Sequence, residues 1–193
     1  MKIFKSILLL IENEIIKNKI KHVGKNVFFS RNALILGGKY IEIGDGFSAF
    51  SNLRIEAIDQ YINYCYRPFI KIGNYVSFGN DCHIGCINEV IISDGVLLGS
   101  HVLINDHSHG QTEFISNQRP ADRELVSKGP IHIGKNVWIC DGVCVMPGVT
   151  IGENSIIGAN AVVTKDVPAN CVAAGNPAKV IKYLKKCRSE NIV

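Results

Sequence analysis

Aliphatic residues recur at every sixth position along much of this chain, and no ordinary helix or strand repeats at that interval. Ile133, Ile139, Val145, Ile151, Ile157 and Val163 follow one another without a break, opening the hexads IGKNVW, ICDGVC, VMPGVT, IGENSI, IGANAV and VTKDVP. The same phrase runs through Ile72, Phe78 and Ile84 and, after a two-residue slip, through Ile92, Leu98 and Ile104. Earlier copies at Val23, Leu36 and Ile43 are ragged. A second apolar position lies four residues after the first, at Val76, Val96, Val102, Val137, Val143 and Val149. Neither a 3.6-residue period nor alternation explains this. A chain coiled so that each short strand sends one residue inward at the same point of every turn does. The repeat therefore predicts an all-β solenoid, a parallel β-helix over residues 22–178 with a continuous aliphatic column inside. Glycine follows the lead residue at 73, 79, 85, 99, 134, 152 and 158, where the chain is expected to turn a corner that a side chain would obstruct. The Asn and Asp residues that come next suit left-handed corner conformations.

Two segments flank the solenoid. Residues 1–21 begin with lysines and a short apolar run, Ile7 to Ile11, which Glu12 and Glu14 interrupt. That run is too short for a membrane span and lacks a cleavage site, so the chain is expected to be neither exported nor membrane-spanning. The spacing predicts an amphipathic helix from residue 3 to about 20, docked through Leu8, Ile11, Ile15 and Ile16, with membrane-surface contact as the alternative. Residues 179–193 carry Lys179, Lys182, Lys185, Lys186 and Arg188 and are expected to form a basic C-terminal helix or tail. With 47% hydrophobic and 20% charged residues in 193, the composition suits one folded domain with appendages and excludes disorder. A net charge of +4 is too mild to call for nucleic acid. The seven cysteines contain no C-x-x-C pair and read as reduced thiols in a cytoplasmic protein.

Chemistry is expected where the repeat fails, because a loop can leave a solenoid without disturbing its stack. The clear failure runs over residues 105–130, NDHSHGQTEFISNQRPADRELVSKGP, a length that is usually functional in a compact fold. His107 and His109 stand at its root, and histidine suits proton transfer near neutrality. Asp106 is placed to orient one imidazole or to make a turn. A second irregular stretch, 51–69, holds Arg54, Tyr61, Tyr64, Tyr66 and Arg67 and could wall a sugar-sized pocket. Trp138, the single tryptophan, is expected beside the base of the loop as one wall of a ligand site, or else as a surface or interface residue.

The hexads, the DHSHG loop root, the stretch NVWICDGVCVMPGVTIGENSIIGANAVVTKDVPAN and the closing AAGNPAKVI together resemble the hexapeptide-repeat acyltransferases. These are left-handed parallel β-helices, and the nearest branch is that of maltose and galactoside O-acetyltransferases and their relatives acting on O-antigen, capsule and colanic-acid sugars. The resemblance covers about residues 70–183 strongly and 22–69 loosely. It implies a homotrimer with active sites between subunits, acetyl-CoA as cosubstrate, a saccharide acceptor and no required metal. Counted without gaps, the family's catalytic histidine falls on His109, and a single gap would move it to His107, which otherwise orients its neighbour. The wall tryptophan falls on Trp138. The acceptor-side asparagine falls at Gly79 with Asn80 adjacent. The residues beside the pantetheine correspond to Asp141, Gly158 and Ala159, the Thr-Lys pair to Thr164 and Lys165, and the basic tail residues to Lys179 and Lys182.

The expected activity is therefore acetyl transfer from acetyl-CoA to a sugar hydroxyl in surface-polysaccharide synthesis. The histidine takes the hydroxyl proton and the leaving thiolate receives it. Direct transfer is expected, since no Ser or Cys stands at a motif position beside the histidine. Three alternatives remain at this point: N-acetylation of an amino sugar, perhaps nucleotide-linked; a zinc carbonic anhydrase drawing on His83, His101, His107 and His109; and a non-catalytic scaffold, which leaves the histidine pair without a role.

Overall fold

The aliphatic column turns inward as the six-residue period requires. Ile133, Ile139, Val145, Ile151, Ile157 and Val163 are each at most 1% exposed, as are Ile72, Phe78, Ile84, Ile92, Leu98 and Ile104. A computed structural model describes residues 2–185. Its coils stack as a left-handed parallel β-helix with three faces, each a sheet whose rungs come from successive turns. The first sheet orders the strands His22–Val23, Ile41–Ile43, Phe69–Ile72, Glu89–Ile92, Ile131–Ile133 and Thr150–Ile151. The second begins Phe28–Phe29, Ser48–Ala49, Ser77–Phe78, Leu97–Leu98, Trp138–Ile139 and Ile156–Ile157. The third orders Leu34–Leu36, Arg54–Ala57, His83–Cys86, Leu103–Asn105, Cys144–Val145 and Val162–Val163.

Corners bear out the Asn expectation and, at Gly99, the glycine one. Left-handed conformations fall on Asn26, Asn52, Asn136, Asn154, Asn160 and Asn170, with φ between 54° and 63°. The amide side chains then bond from coil to coil, Asn136 to Asn154 at 3.3 Å and Asn154 to Asn170 at 3.0 Å. A side chain would obstruct the corner there: a Cβ on Gly99 would come within 2.6 Å of the Asp141 backbone nitrogen on the next coil.

Both ends differ from expectation in an instructive way. The helix α1 (Lys2–Lys17) forms, but Leu8, Ile11 and Ile15 are exposed and do not dock. The docking residues are Ile16, packed on the core, and Asn13, which is 2% exposed. Asn13 Nδ2 donates to the Phe29 carbonyl at 2.7 Å and its Oδ1 accepts the Phe29 N–H at 2.8 Å. A polar side chain thus does for the first coil what a preceding strand would do, satisfying an edge that would otherwise be open. At the other end, the helix expected from residue 179 is instead the strand Lys179–Tyr183, antiparallel to Cys171–Ala174. The run Lys-Val-Ile-Lys-Tyr suits a strand, being β-branched and aromatic, and it extends the second sheet. Residues 186–193, the rest of that expectation, lie outside the described residues.

Every long excursion leaves from one edge of the prism, between the third sheet and the first. In successive coils that edge carries residues 58–68, then Ile87 and Asn88, then residues 106–130. The two irregular sequence segments and the two-residue slip between Ile84 and Ile92 are therefore neighbours in space.

Candidate active site

A cleft of ≈ 390 Å³ opens where these excursions meet the third sheet. Its floor is set by strand register. Gly85 pairs with Glu56 on one side and Asn105 on the other, and in the next row His83 pairs with Arg54. Residues at these positions point outward, since their neighbours Ile55, Ile84 and Ile104 are buried in the core. Gly85 keeps the floor open, because a Cβ there would collide with Asn105 Oδ1 and reach 3.2 Å from His107 Cε1.

Asp106 is wholly buried and makes the strongest local arrangement. Its Oδ1 accepts the Ile87 N–H at 2.9 Å and its Oδ2 the Asn88 N–H at 2.8 Å. Its Oδ1 also stands 3.1 Å from His107 Nδ1. An ionised carboxylate only accepts, so Nδ1 carries the ring proton and Nε2 is left as a base. Nε2 has no hydrogen-bond partner among the described residues, and no buried side-chain nitrogen or oxygen lacks one, so this atom is open to the cleft. Asn105 Nδ2 steadies the turn by donating to the His107 carbonyl at 2.8 Å.

His109 lines the same cleft in a different setting. It is exposed, and its ring meets Tyr61 edge-on at 5.5 Å between centroids, without a carboxylate partner among the described residues. The cleft's other wall is the Arg54, Glu56 and His83 cluster. Arg54 Nε lies 2.8 Å and His83 Nε2 2.9 Å from Glu56 Oε2. Burial pushes the Glu56 carboxyl up, but the Arg54 guanidinium and the His83 ring hold it below its ordinary value. Among the described residues the lining contains neither serine nor cysteine. Burial raises the pKa of the core thiol Cys82 to about 11, and the six described cysteines are unpaired.

Several residues expected at the site stand elsewhere in the subunit. Trp138, 47% exposed, belongs to the second sheet between Leu97 and Ile156 and does not line the cleft on the third. Asn80 sits at the corner between second and third sheets, its Oδ1 accepting the Ser51 N–H at 3.2 Å. Asp141 occupies the same corner two coils on and accepts the Ser100 N–H. Gly158 and Ala159 follow on the next coil, where the Gly158 N–H donates to the Ala173 carbonyl. One edge thus collects Asn80, Asp141, Gly158 and Ala159. Thr164 and Lys165 lie on the other edge of the third sheet, after Val162–Val163, and Lys179 and Lys182 are exposed on the added strand of the second sheet. The four histidines considered for zinc take separate partners: His83 bonds Glu56, His101 approaches Asp81 at 3.9 Å, His107 bonds Asp106 and His109 packs on Tyr61. Glu56, Gly85, Ile87 and Asn88 are site residues that sequence reading did not single out, although the slip of the repeat between Ile84 and Ile92 marks the last two.

Comparison with known proteins places these features in a wider set. Residues 130–165 match the family described as "Bacterial transferase hexapeptide (six repeats)". The chain is 34% identical over 146 residues to the Escherichia coli (strain K12) protein named as the lipopolysaccharide biosynthesis O-acetyl transferase WbbJ, covering 74% of this chain and 71% of that one. It is 42% identical over 121 residues to the galactoside O-acetyltransferase of the same strain, covering 57% and 58%. Among solved structures, a maltose O-acetyltransferase from Clostridium difficile 630 superposes with a TM-score of 0.60 at 31% identity, over 90% of this chain and 74% of that one. Among the described residues no helix is long and apolar enough to cross a membrane.

Proposed function

The chain belongs to the bacterial hexapeptide-repeat transferases, and from that premise we propose that it transfers the acetyl group of acetyl-CoA to a hydroxyl of a saccharide in surface-polysaccharide synthesis, with His107 as general base. The observation that carries the assignment is the buried Asp106–His107 pair facing the cleft. Asp106 holds the proton on Nδ1, and Nε2 accepts the proton of the attacking hydroxyl as the new C–O bond forms. When the C–S bond breaks, the same imidazolium returns the proton to the CoA thiolate. An ion pair of His107 with an already fixed carboxylate stabilises this charged intermediate state of the ring. Among the described residues the lining has no serine or cysteine, which supports direct transfer without an acetyl-enzyme. His109, lacking an orienting carboxylate, serves acceptor contact with Tyr61.

Relatives support the donor: a galactoside acetyltransferase was solved in complex with coenzyme A, at 30% identity and a TM-score of 0.51 over 89% of this chain and 69% of that one. On this reading the pantetheine runs along the edge at Asp141, Gly158 and Ala159, where exposed Ala159 leaves the backbone reachable. Thr164, Lys165, Lys179 and Lys182 face the nucleotide end, the lysines meeting phosphate as point charges. The protein acts as a cytoplasmic homotrimer in which a neighbouring copy brings Trp138 to the cleft, which accounts for a half-exposed tryptophan on a different sheet.

Thiol release from acetyl-CoA, measured over a panel of hexoses and amino sugars with product mapping by NMR, tests the assignment. His107→Ala is expected to lower acceptor-dependent release by about 10²–10⁴-fold, and His109→Ala by about tenfold or less. The reverse order moves the base to His109, and an amide product in place of an ester replaces O-transfer with N-transfer.

A further inference from the structure

We propose that the acceptor is a saccharide chain, and that its sugars beyond the reacting one lie in a trough continuing from the histidine cleft across the strand Leu125–Ser127. The proposal rests on the sugar-transfer reading above and adds to it the length of the acceptor.

Three hollows adjoin one another through shared lining residues. The histidine cleft meets a second hollow of ≈ 450 Å³ at Leu125, which lines both. The second meets a third, of ≈ 220 Å³, at Gln111, Glu124 and Val126. The first two are each already within the range of about 300–1,000 Å³ typical of a whole small-ligand site, so a lone hexose leaves most of the trough empty. Each hollow has one tyrosine from the same short segment: Tyr61 in the first, Tyr66 in the second and Tyr64 in the third. Sugar rings present C–H faces that pack on aromatic rings and hydroxyl edges that need polar partners, and Gln111 and Glu124 supply such groups where the last two hollows join.

The walls are fixed by cross-links between the two irregular segments. Tyr61 Oη donates to the Ala121 carbonyl at 2.7 Å, and the Leu125 N–H donates to Tyr66 Oη at 3.0 Å. These contacts join residues 60 and 59 positions apart in sequence. Neither segment follows the coil repeat, yet the two hold each other in one shape, which prepares a binding surface before any ligand arrives. Contacts far from the reacting hydroxyl then raise kcat/KM by binding energy that the reacting sugar alone cannot supply.

The test is acetyl transfer to malto-, chito- and galacto-oligosaccharides of increasing length, with kcat/KM measured at each. In at least one series kcat/KM is expected to rise about tenfold or more from one sugar to three. Tyr64→Ala and Gln111→Ala are each expected to lower the trisaccharide-to-monosaccharide ratio. The ratio is the readout because a poorly folded variant lowers both rates and leaves it unchanged. Equal kcat/KM at all lengths, or a ratio untouched by both substitutions, overturns the trough while leaving sugar transfer intact. Failure to acetylate any series at any length overturns the sugar-transfer reading, and the trough proposal falls with it.

Discussion

Asp94 and Asp106 perform one task in two settings. Asp94, at a corner between the first and second sheets, accepts the Asn74 N–H of the preceding coil at 2.8 Å, and its side chain is 46% exposed. Asp106 likewise accepts backbone N–H groups of the preceding coil, from Ile87 and Asn88, but it is fully buried and has an imidazole against it. At the corner, water can replace the side chain and the bond only helps coils stack. In the excursion, the same bonds fix a negative charge beside a titratable ring where no water can compensate. On the proposed reading, a scaffold interaction becomes catalytic machinery by moving from a repeated, wet position to a single, dry one.

Replacing each carboxylate gives the largest separation between the two settings. Asp106→Ala strands the buried Ile87 N–H, at about 1–3 kcal/mol, takes the acceptor from the partly buried Asn88 N–H, and frees the His107 tautomer, so acetyl transfer is expected to fall about 10²–10⁴-fold. Asp94→Ala is expected to lower stability by about 1 kcal/mol or less, with kcat/KM within about twofold. Thermal melts beside thiol-release assays read both quantities, and equal losses of activity would erase the contrast.

Gly85→Ala sharpens the comparison from the side of the cleft floor. The added Cβ meets Asn105 Oδ1 and the His107 ring edge, so Asn105 and His107 must shift, at about 1–3 kcal/mol. Acetyl transfer is expected to fall about 10-fold to 10²-fold, since small misplacements at a reacting group are costly. Retained full activity would mean that His107 does not need its present position.

The scaffold was legible because every coil obeys the same physics, so one period read in Ile133 to Val163 serves throughout. Counting hexads modulo three also assigns faces: Ile133 opens the first sheet, Ile139 the second and Val145 the third. That count puts Trp138 on the second sheet and the strand leading to His107 on the third. The same count keeps Trp138 off the third-sheet cleft of its own subunit. By the same count Asn80 is the corner residue after a second-sheet strand. The DHSHG root lies in the cleft, as His107 and His109 both line it, yet its partners did not follow from any period. Glu56, Ile87 and Tyr61 reach it through coil register and through tyrosine contacts spanning about 60 residues. The N-terminal helix was legible as a helix, but its docking depends on Asn13 reading a backbone edge, which a search for apolar faces passes over.

The smallest expected effect concerns the acid side of the cleft wall. Glu56 is paired with Arg54 and His83 and its carboxyl is held below the ordinary value despite burial. A carboxyl whose pKa is lower in the folded state contributes stability above the unfolded value of about 4.3, and that contribution disappears as pH falls through the folded value. Near neutrality, wild type is therefore expected to melt above Glu56→Gln by a constant margin. Below about pH 4 the margin is expected to shrink, because protonated Glu56 no longer attracts the guanidinium. Paired melting curves between neutral and acidic pH measure it directly. A margin that stays level down to the most acidic sample would mean that Glu56 holds its partners by hydrogen bonding alone, and that the cleft wall owes no more to charge than the exposed corners do.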